Sequence, residues 1–290
     1  MVDEKKKNQP SPELPIDYLV IGHITGDLTQ HGIRLGGTAA YSGLTAKVLG
    51  LKAGLITSFS ENLNISPIKS LWIKNKPSQN TTTFKNISDG KARKQYLYNI
   101  AEPLTIDDLP TFKEPPRILH LGPIANEVNQ EILEHFPESL KCLTPQGWMR
   151  TVNPDQQVLR SNWKDYTDAI QNADIVVISQ EDVQMDENII GKMADIASIL
   201  VVTENKRGAR VYWHNDARFF YAPEVKYVDD TGAGDIFAAA FFYRYLYTKD
   251  PWEAGRFAVL LASWSVTRSH LDSIPTPEEI SKAKIELISH

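Results

Sequence analysis

Residues 229–235 read Asp-Asp-Thr-Gly-Ala-Gly-Asp and run directly into an apolar, alanine-rich stretch over 236–241. Glycines remove side chains, so several backbone N–H groups can converge on one point. The helix that follows adds the positive end of its dipole. Together these make a pocket for an anion. A carboxylate inside that pocket, Asp235, would repel a phosphate that was merely held there. It has a use as a general base that takes a proton from a hydroxyl while the donors steady phosphoryl charge. That is the logic of phosphoryl transfer to an alcohol. The same spacing also fits a tight turn followed by a capping aspartate. Two other phosphate signatures are excluded. Phe237 stands where a dinucleotide fingerprint needs its third glycine, and no P-loop GK[ST] occurs.

Two further loops carry unusual residues. Gly36-Gly37 precedes Thr38 and allows close backbone approach to a small ligand, and Asp27 lies upstream where it could accept hydrogen bonds from hydroxyls. A plain turn and a solvated aspartate read equally well there. Thr203-Glu-Asn-Lys-Arg-Gly208 follows a strongly apolar run. A short hydroxyl, cations and a glycine suit nucleotide phosphates, and they also suit a solvated turn.

The elements that must position these residues alternate. Runs at 16–22, 53–57, 117–122, 141–144, 174–179 and 199–203 read as strands, and 38–49, 127–136, 163–172, 186–198, 234–247, 251–268 and 277–288 as helices. Residues 210–213 and 218–222 read as an antiparallel pair. Strands alternating with helices imply an α/β fold with a mainly parallel central sheet covered on both faces. Ligands of such sheets bind beyond the carboxyl ends of the strands, which is where these loops fall. Residues 80–100, rich in Thr, Tyr and Phe with a turn signal at 88–90, read as a β-hairpin flap outside that sheet. Residues 1–14 read as a polar tail ahead of a single domain over 15–290.

Composition narrows the function classes. The 290 residues carry a net charge of −5, which argues against a nucleic-acid partner. No apolar run approaches the ~20 residues that span a bilayer, and the first residues lack the apolar core of a secretory signal. Cys142 is the one cysteine, which excludes an internal disulfide and fits a reducing, cytoplasmic setting. It reads as a small buried hydrophobe, and His23 and His120 as packed core histidines. No His/Cys cluster suggests zinc. Lys91, Arg93 and Lys94 read as solvating the flap, with one of them within reach of a phosphate.

DDTGAGD, together with the early GG and the later VTENKRGA, resembles the ribokinase-like (PfkB) family of sugar, polyol and nucleoside kinases. The likeness in element order covers nearly the whole chain after the tail. It implies a three-layer αβα fold with the 80–100 hairpin as a lid over the acceptor. It implies Asp235 as the catalytic base and Gly232, Ala233 and Gly234 as the anion hole. Asp27, Gly36, Gly37 and Tyr41 fall at acceptor-binding positions. Thr203, Lys206, Arg207, Gly208 and Thr231 fall at the nucleotide. ATP, Mg2+ and a monovalent cation such as K+ follow as expected cofactors, and a homodimer through the lid as an expected assembly.

The chain departs from the family pattern in two places. The usual Asn-x-x-Glu motif reads Ser179-Gln-Glu-Asp182 here, leaving Asp182, with Glu181 beside it, as the magnesium-linked acid acting through water. The asparagine after the GG is replaced by Tyr41. That aromatic and Thr144-Pro-Gln-Gly-Trp-Met-Arg150 are similar to the myo-inositol kinase branch, which implies Gln146 and Arg150 as binders of ring hydroxyls. The expected protein is thus an ATP-dependent kinase of a small polyol or sugar. A nucleoside acceptor stacked on Tyr41, Trp148, Tyr96 or Tyr98, and an inactive ligand-binding relative, stand as alternatives.

Overall fold

The computed structural model describes residues 15–30, 32–88, 93–163 and 166–284. The 1–14 tail, the 89–90 tip of the hairpin turn with Lys91, and the end of the last helix lie outside the described residues. The elements, in chain order, are β1 (Tyr18–Ile21), β2 (Thr25–Thr29), β3 (Gly32–Gly36), α1 (Thr38–Val48), β4 (Ala53–Phe59), β5 (Trp72–Pro77), β6 (Thr83–Ser88) and β7 (Arg93–Asn99). Then come β8 (Ile118–Leu121), β9 (Leu140–Leu143), β10 (Arg150–Val152), β11 (Val158–Arg160), α2 (Tyr166–Gln171), β12 (Ile175–Ser179) and α3 (Glu187–Ile196). The chain closes with β13 (Ile199–Thr203), β14 (Gly208–Trp213), β15 (Asp216–Tyr221), α4 (Ala233–Thr248), α5 (Pro251–Ser265) and α6 (Pro277–Lys284).

Nine strands form the central sheet in the order β15-β14-β13-β12-β9-β8-β1-β4-β5, parallel except for the antiparallel β13-β14-β15 edge. The central strands are continuous apolar runs because both faces are covered. Alternate residues of β1 serve opposite cores. Tyr18 and Val20 join the core beneath α1, α4 and α5, whereas Leu19 and Ile21 join the core beneath α2 and α3. Helix α4 is buried from Ile236 to Tyr243 and packs between α1 and α5. A helix apolar on all sides belongs in the interior, and burying it fixes where its first turn points. Helix α5 begins cleanly because Asp250 accepts from the amides of Trp252 and Glu253 and Pro251 occupies the first turn.

A second, four-stranded sheet, β3-β2-β6-β7, stands over the carboxyl ends of the parallel strands. The predicted hairpin is β6–β7, but half of this lid is β2–β3, in place of the loops expected around Asp27 and Gly36-Gly37. Its half-exposed, partly polar residues lack a clean alternation. A further unpredicted hairpin, β10–β11, docks on the lid through the Tyr96–Gln157 bridge and a 2.9 Å bond from the Leu97 amide to the Gln156 carbonyl. The helix expected at 127–136 is instead a 3-10 segment, Gln130–His135. Pro137 disfavours helical backbone at Phe136 and so ends the segment there.

Candidate active site

One cleft of ≈ 390 Å³ opens where the parallel strands end, between the central sheet and the lid. Its wall includes Asp27, Gly37, Tyr41, Gln146, Arg150, Asp182, Thr203, Thr231, Gly232, Gly234 and Asp235. Residues singled out from sequence positions two hundred apart therefore face one space.

Asp235 sits in the first turn of α4, and the Thr38 hydroxyl hydrogen-bonds its carboxylate. Burial pushes its pKa up from 3.8 to about 6. The Thr38 bond and the nearby Arg150 guanidinium pull it down, and the Asp27 carboxylate pushes it up. The carboxylate is thus ionised at neutral pH yet basic enough to take a proton.

Gly232 caps α4 in the left-handed region at φ 81°, and a Cβ there would overlap the Tyr41 ring. Gly234 differs: a Cβ would meet nothing within 4 Å, because the position faces the open cleft. The Ala233 amide donates to the Asp230 carbonyl at 3.1 Å, so the amides the turn offers to a ligand are those of Gly232 and Gly234. The turn itself is braced by Asp229, which accepts from the Thr231 amide (2.9 Å), the Thr231 hydroxyl (2.7 Å) and the His270 amide (3.2 Å). Burial raises the Asp229 pKa, but these bonds outweigh it and hold the group below its ordinary value. The Thr231 hydroxyl is therefore committed to the turn.

The paired glycines serve the lid. A Cβ on Gly36 would overlap Asp27 Oδ2, so its absence lets that carboxylate lie flat against β3. Gly37, at φ 90°, abuts the His23 carbonyl, with 2.7 Å to where a Cβ would stand. Asp27 accepts from the Thr25 hydroxyl at 2.8 Å. Gln146 donates to Asp182 Oδ1 at 3.2 Å, while Asp182 Oδ2 takes the Ser179 amide at 2.9 Å. Two residues expected in different roles are thereby one unit.

The structure does not bring Lys206, Arg207 or Gly208 into the cleft wall. Arg207 pairs with Glu204 at 3.1 Å and lies over the Phe219 ring. Gly208 allows the β14–β15 register, since a Cβ would overlap the Phe220 carbonyl. Conversely, the cleft holds cations with a part that sequence reasoning missed. Arg160 lines it and pairs with Glu181 at 3.0 Å, directly opposite Arg150 across β10–β11. Lys94, one of the three lid cations expected to solvate the flap or reach a phosphate, lines it as well. Without the β10–β11 pairing, no spacing in the sequence joins 150 to 160. His23 bonds Thr82 (2.7 Å) and the Glu102 carbonyl (2.9 Å) as a core residue, and Cys142 is buried.

Residues 148–278 match the model of the pfkB family carbohydrate kinases. A probable fructokinase-5 of Arabidopsis thaliana is 32% identical over 130 residues, which are 44% of this chain and 39% of that protein's length. Among solved structures, a pyrophosphate-dependent kinase in the ribokinase family, complexed with a pyrophosphate analogue and myo-inositol, superimposes with TM-score 0.72 at 20% identity, covering 86% of this chain and 94% of that one. Arabidopsis thaliana ribokinase complexed with ribose and ATP gives TM-score 0.68 at 15% identity, covering 94% and 100%. The fold is ribokinase-like, and residues 148–278 are similar to the pfkB family of carbohydrate kinases.

Proposed function

We propose that the protein is a kinase that transfers a phosphoryl group to a hydroxyl of a small polyol or sugar. The observation that carries this reading is Asp235: a carboxylate with its pKa raised to about 6, set beside the open Gly234 position at the start of a buried helix. In the reaction the acceptor oxygen bonds phosphorus, the bond from phosphorus to the donor's bridging oxygen breaks, and the acceptor proton passes to Asp235. The Gly232 and Gly234 amides and the α4 dipole stabilise the charge on the moving group. Asp27, Gln146 and Arg150 bind acceptor hydroxyls beneath the lid, and Arg supplies several fixed donors for this. The pfkB match and the myo-inositol-bound neighbour support a polyol acceptor.

Among the described residues no group of three or more His, Cys, Asp or Glu is gathered to hold a metal. Magnesium that travels with donor phosphates keeps most of its waters and needs only one or two carboxylates. Asp182 on the cleft wall is the residue that would hold it through water, and when bound the ion would neutralise phosphate charge.

ATP is the donor expected from the family. Pyrophosphate is a second reading, favoured by Arg150 and Arg160 standing opposite one another on the cleft wall. Arginine forks suit a diphosphate, which here would join the Glu181 carboxylate that Arg160 already holds. The test is a panel of myo-inositol, fructose, ribose and adenosine, each offered with Mg-ATP and with Mg-pyrophosphate, scored by phosphorylated product. Product from a polyol or sugar is expected. No product from any pair counts against the kinase reading, and product from adenosine alone moves it to a nucleoside.

A further inference from the structure

Three side chains form a hydrogen-bonded chain beneath the cleft floor. The Tyr18 hydroxyl lies 3.1 Å from His120 Nδ1, and His120 Nε2 lies 2.9 Å from Thr144 Oγ1. Tyr18 and His120 are wholly buried, with the imidazole edge-on to Phe242. Thr144 is the member that reaches the cleft wall. Burial drives the His120 pKa down to about 3, so at neutral pH the ring carries a single proton.

That proton has two places to be. In one arrangement Nδ1–H donates to Tyr18 and the Thr144 hydroxyl donates to Nε2. The Tyr18 O–H then has no acceptor among the described residues, a buried donor left unmade, which is the costly outcome. In the other arrangement Tyr18 donates to Nδ1 and Nε2–H donates to Thr144 Oγ1. Both donors of the wholly buried Tyr18–His120 pair are used, so this arrangement wins. Its consequence appears at the surface of the cleft. The Thr144 oxygen accepts from within, and its own proton turns outward.

Thr144 and the proposed base line the same cleft. Thr144 and Thr38 both border Gly122, where a Cβ would lie 3.3 Å from Thr144 Oγ1 and 3.3 Å from Thr38 Cβ. Thr38 in turn holds the Asp235 carboxylate. Resting on the phosphotransfer reading above, we propose that Thr144 positions the acceptor by donating a hydrogen bond to a second hydroxyl oxygen next to the one Asp235 deprotonates, and that Tyr18 and His120 fix it as a donor. The site is thereby built for a vicinal diol rather than an isolated alcohol.

Two measurements test this. Long-range 1H–15N NMR on the full-length protein at pH 7 should show His120 protonated on Nε2. A proton on Nδ1, or a charged ring, overturns the proposal. Kinetics of Thr144→Val, with whichever of myo-inositol, fructose or ribose the wild type phosphorylates, should show the acceptor KM raised about tenfold with the donor KM unchanged. Thr144→Ser should restore it, and His120→Phe, which frees the hydroxyl to rotate, should raise the acceptor KM in the same direction. An unchanged acceptor KM in Thr144→Val, or a Ser variant as impaired as the Val one, rejects the role. No turnover with all three acceptors strikes the kinase reading and not the hydrogen-bond chain, which the NMR result decides by itself.

Discussion

The ring of Tyr41 packs against the Cα of Gly232, so closely that a Cβ at 232 would overlap it. Helix α1 thereby braces the turn that opens α4, as do the Thr38 bond to the Asp235 carboxylate and the Ser42 hydroxyl bond to the Asp235 carbonyl. Gly232→Ala adds a methyl group both to this contact and to a left-handed backbone. The expected cost is about 1–3 kcal/mol of stability, read as a lower melting temperature. Combining it with Tyr41→Ala should recover part of the steric share. A Gly232→Ala protein that melts with the wild type contradicts the packing described.

Gly234 makes the opposite prediction. Its missing side chain faces open cleft, so Gly234→Val should leave the melting temperature nearly unchanged while filling the place a phosphoryl group needs. Donor turnover should fall at least tenfold. Normal turnover in a folded Gly234→Val protein speaks against this turn as the anion pocket.

Asp235 links activity to pH and to stability with opposite signs. Its folded pKa of about 6 lies above its ordinary 3.8, so the folded state holds the proton more tightly than the unfolded chain. That contribution is full below about pH 4 and is lost as pH rises through 6, leaving a buried charge that costs on the order of 1–3 kcal/mol at pH 8. Asp235→Asn should therefore melt above the wild type at pH 8 and with it at pH 4. Wild-type turnover should fall as pH drops below about 6, where the base is protonated. Identical melting curves at both pH values are incompatible with the raised pKa.

Arg160 offers a test of the donor side. Its pairing with Glu181 is solvent-exposed and worth under about 1 kcal/mol, so Arg160→Gln should fold normally. The donor KM should rise severalfold with the acceptor KM little changed. The reverse pattern would reassign Arg160 to the acceptor.

What the sequence made legible follows from local physics. The buried parallel strands are apolar and rich in β-branched residues up to a terminal hydroxyl residue, as in Ile175–Ser179 and Ile199–Thr203. The turn at 229–235 is spelled out by residues that few other conformations need. The lid's β2–β3 half and the β10–β11 hairpin were hidden because strands of three to five half-exposed residues leave no periodic signal. Arg160 entered the cleft only through that hairpin. Gly208 shows the converse: it looked like a ligand loop, and the strand crossing at Phe220 accounts for its lack of a side chain.

The most direct measurement is kcat for Asp235→Asn, made on protein whose folding is verified by its melting curve, with the acceptor found in the panel. Loss of turnover on the order of a hundredfold or more is the predicted result. A folded Asp235→Asn protein that turns over at the wild-type rate would contradict the assignment of Asp235 as the base, and with it the proposed chemistry.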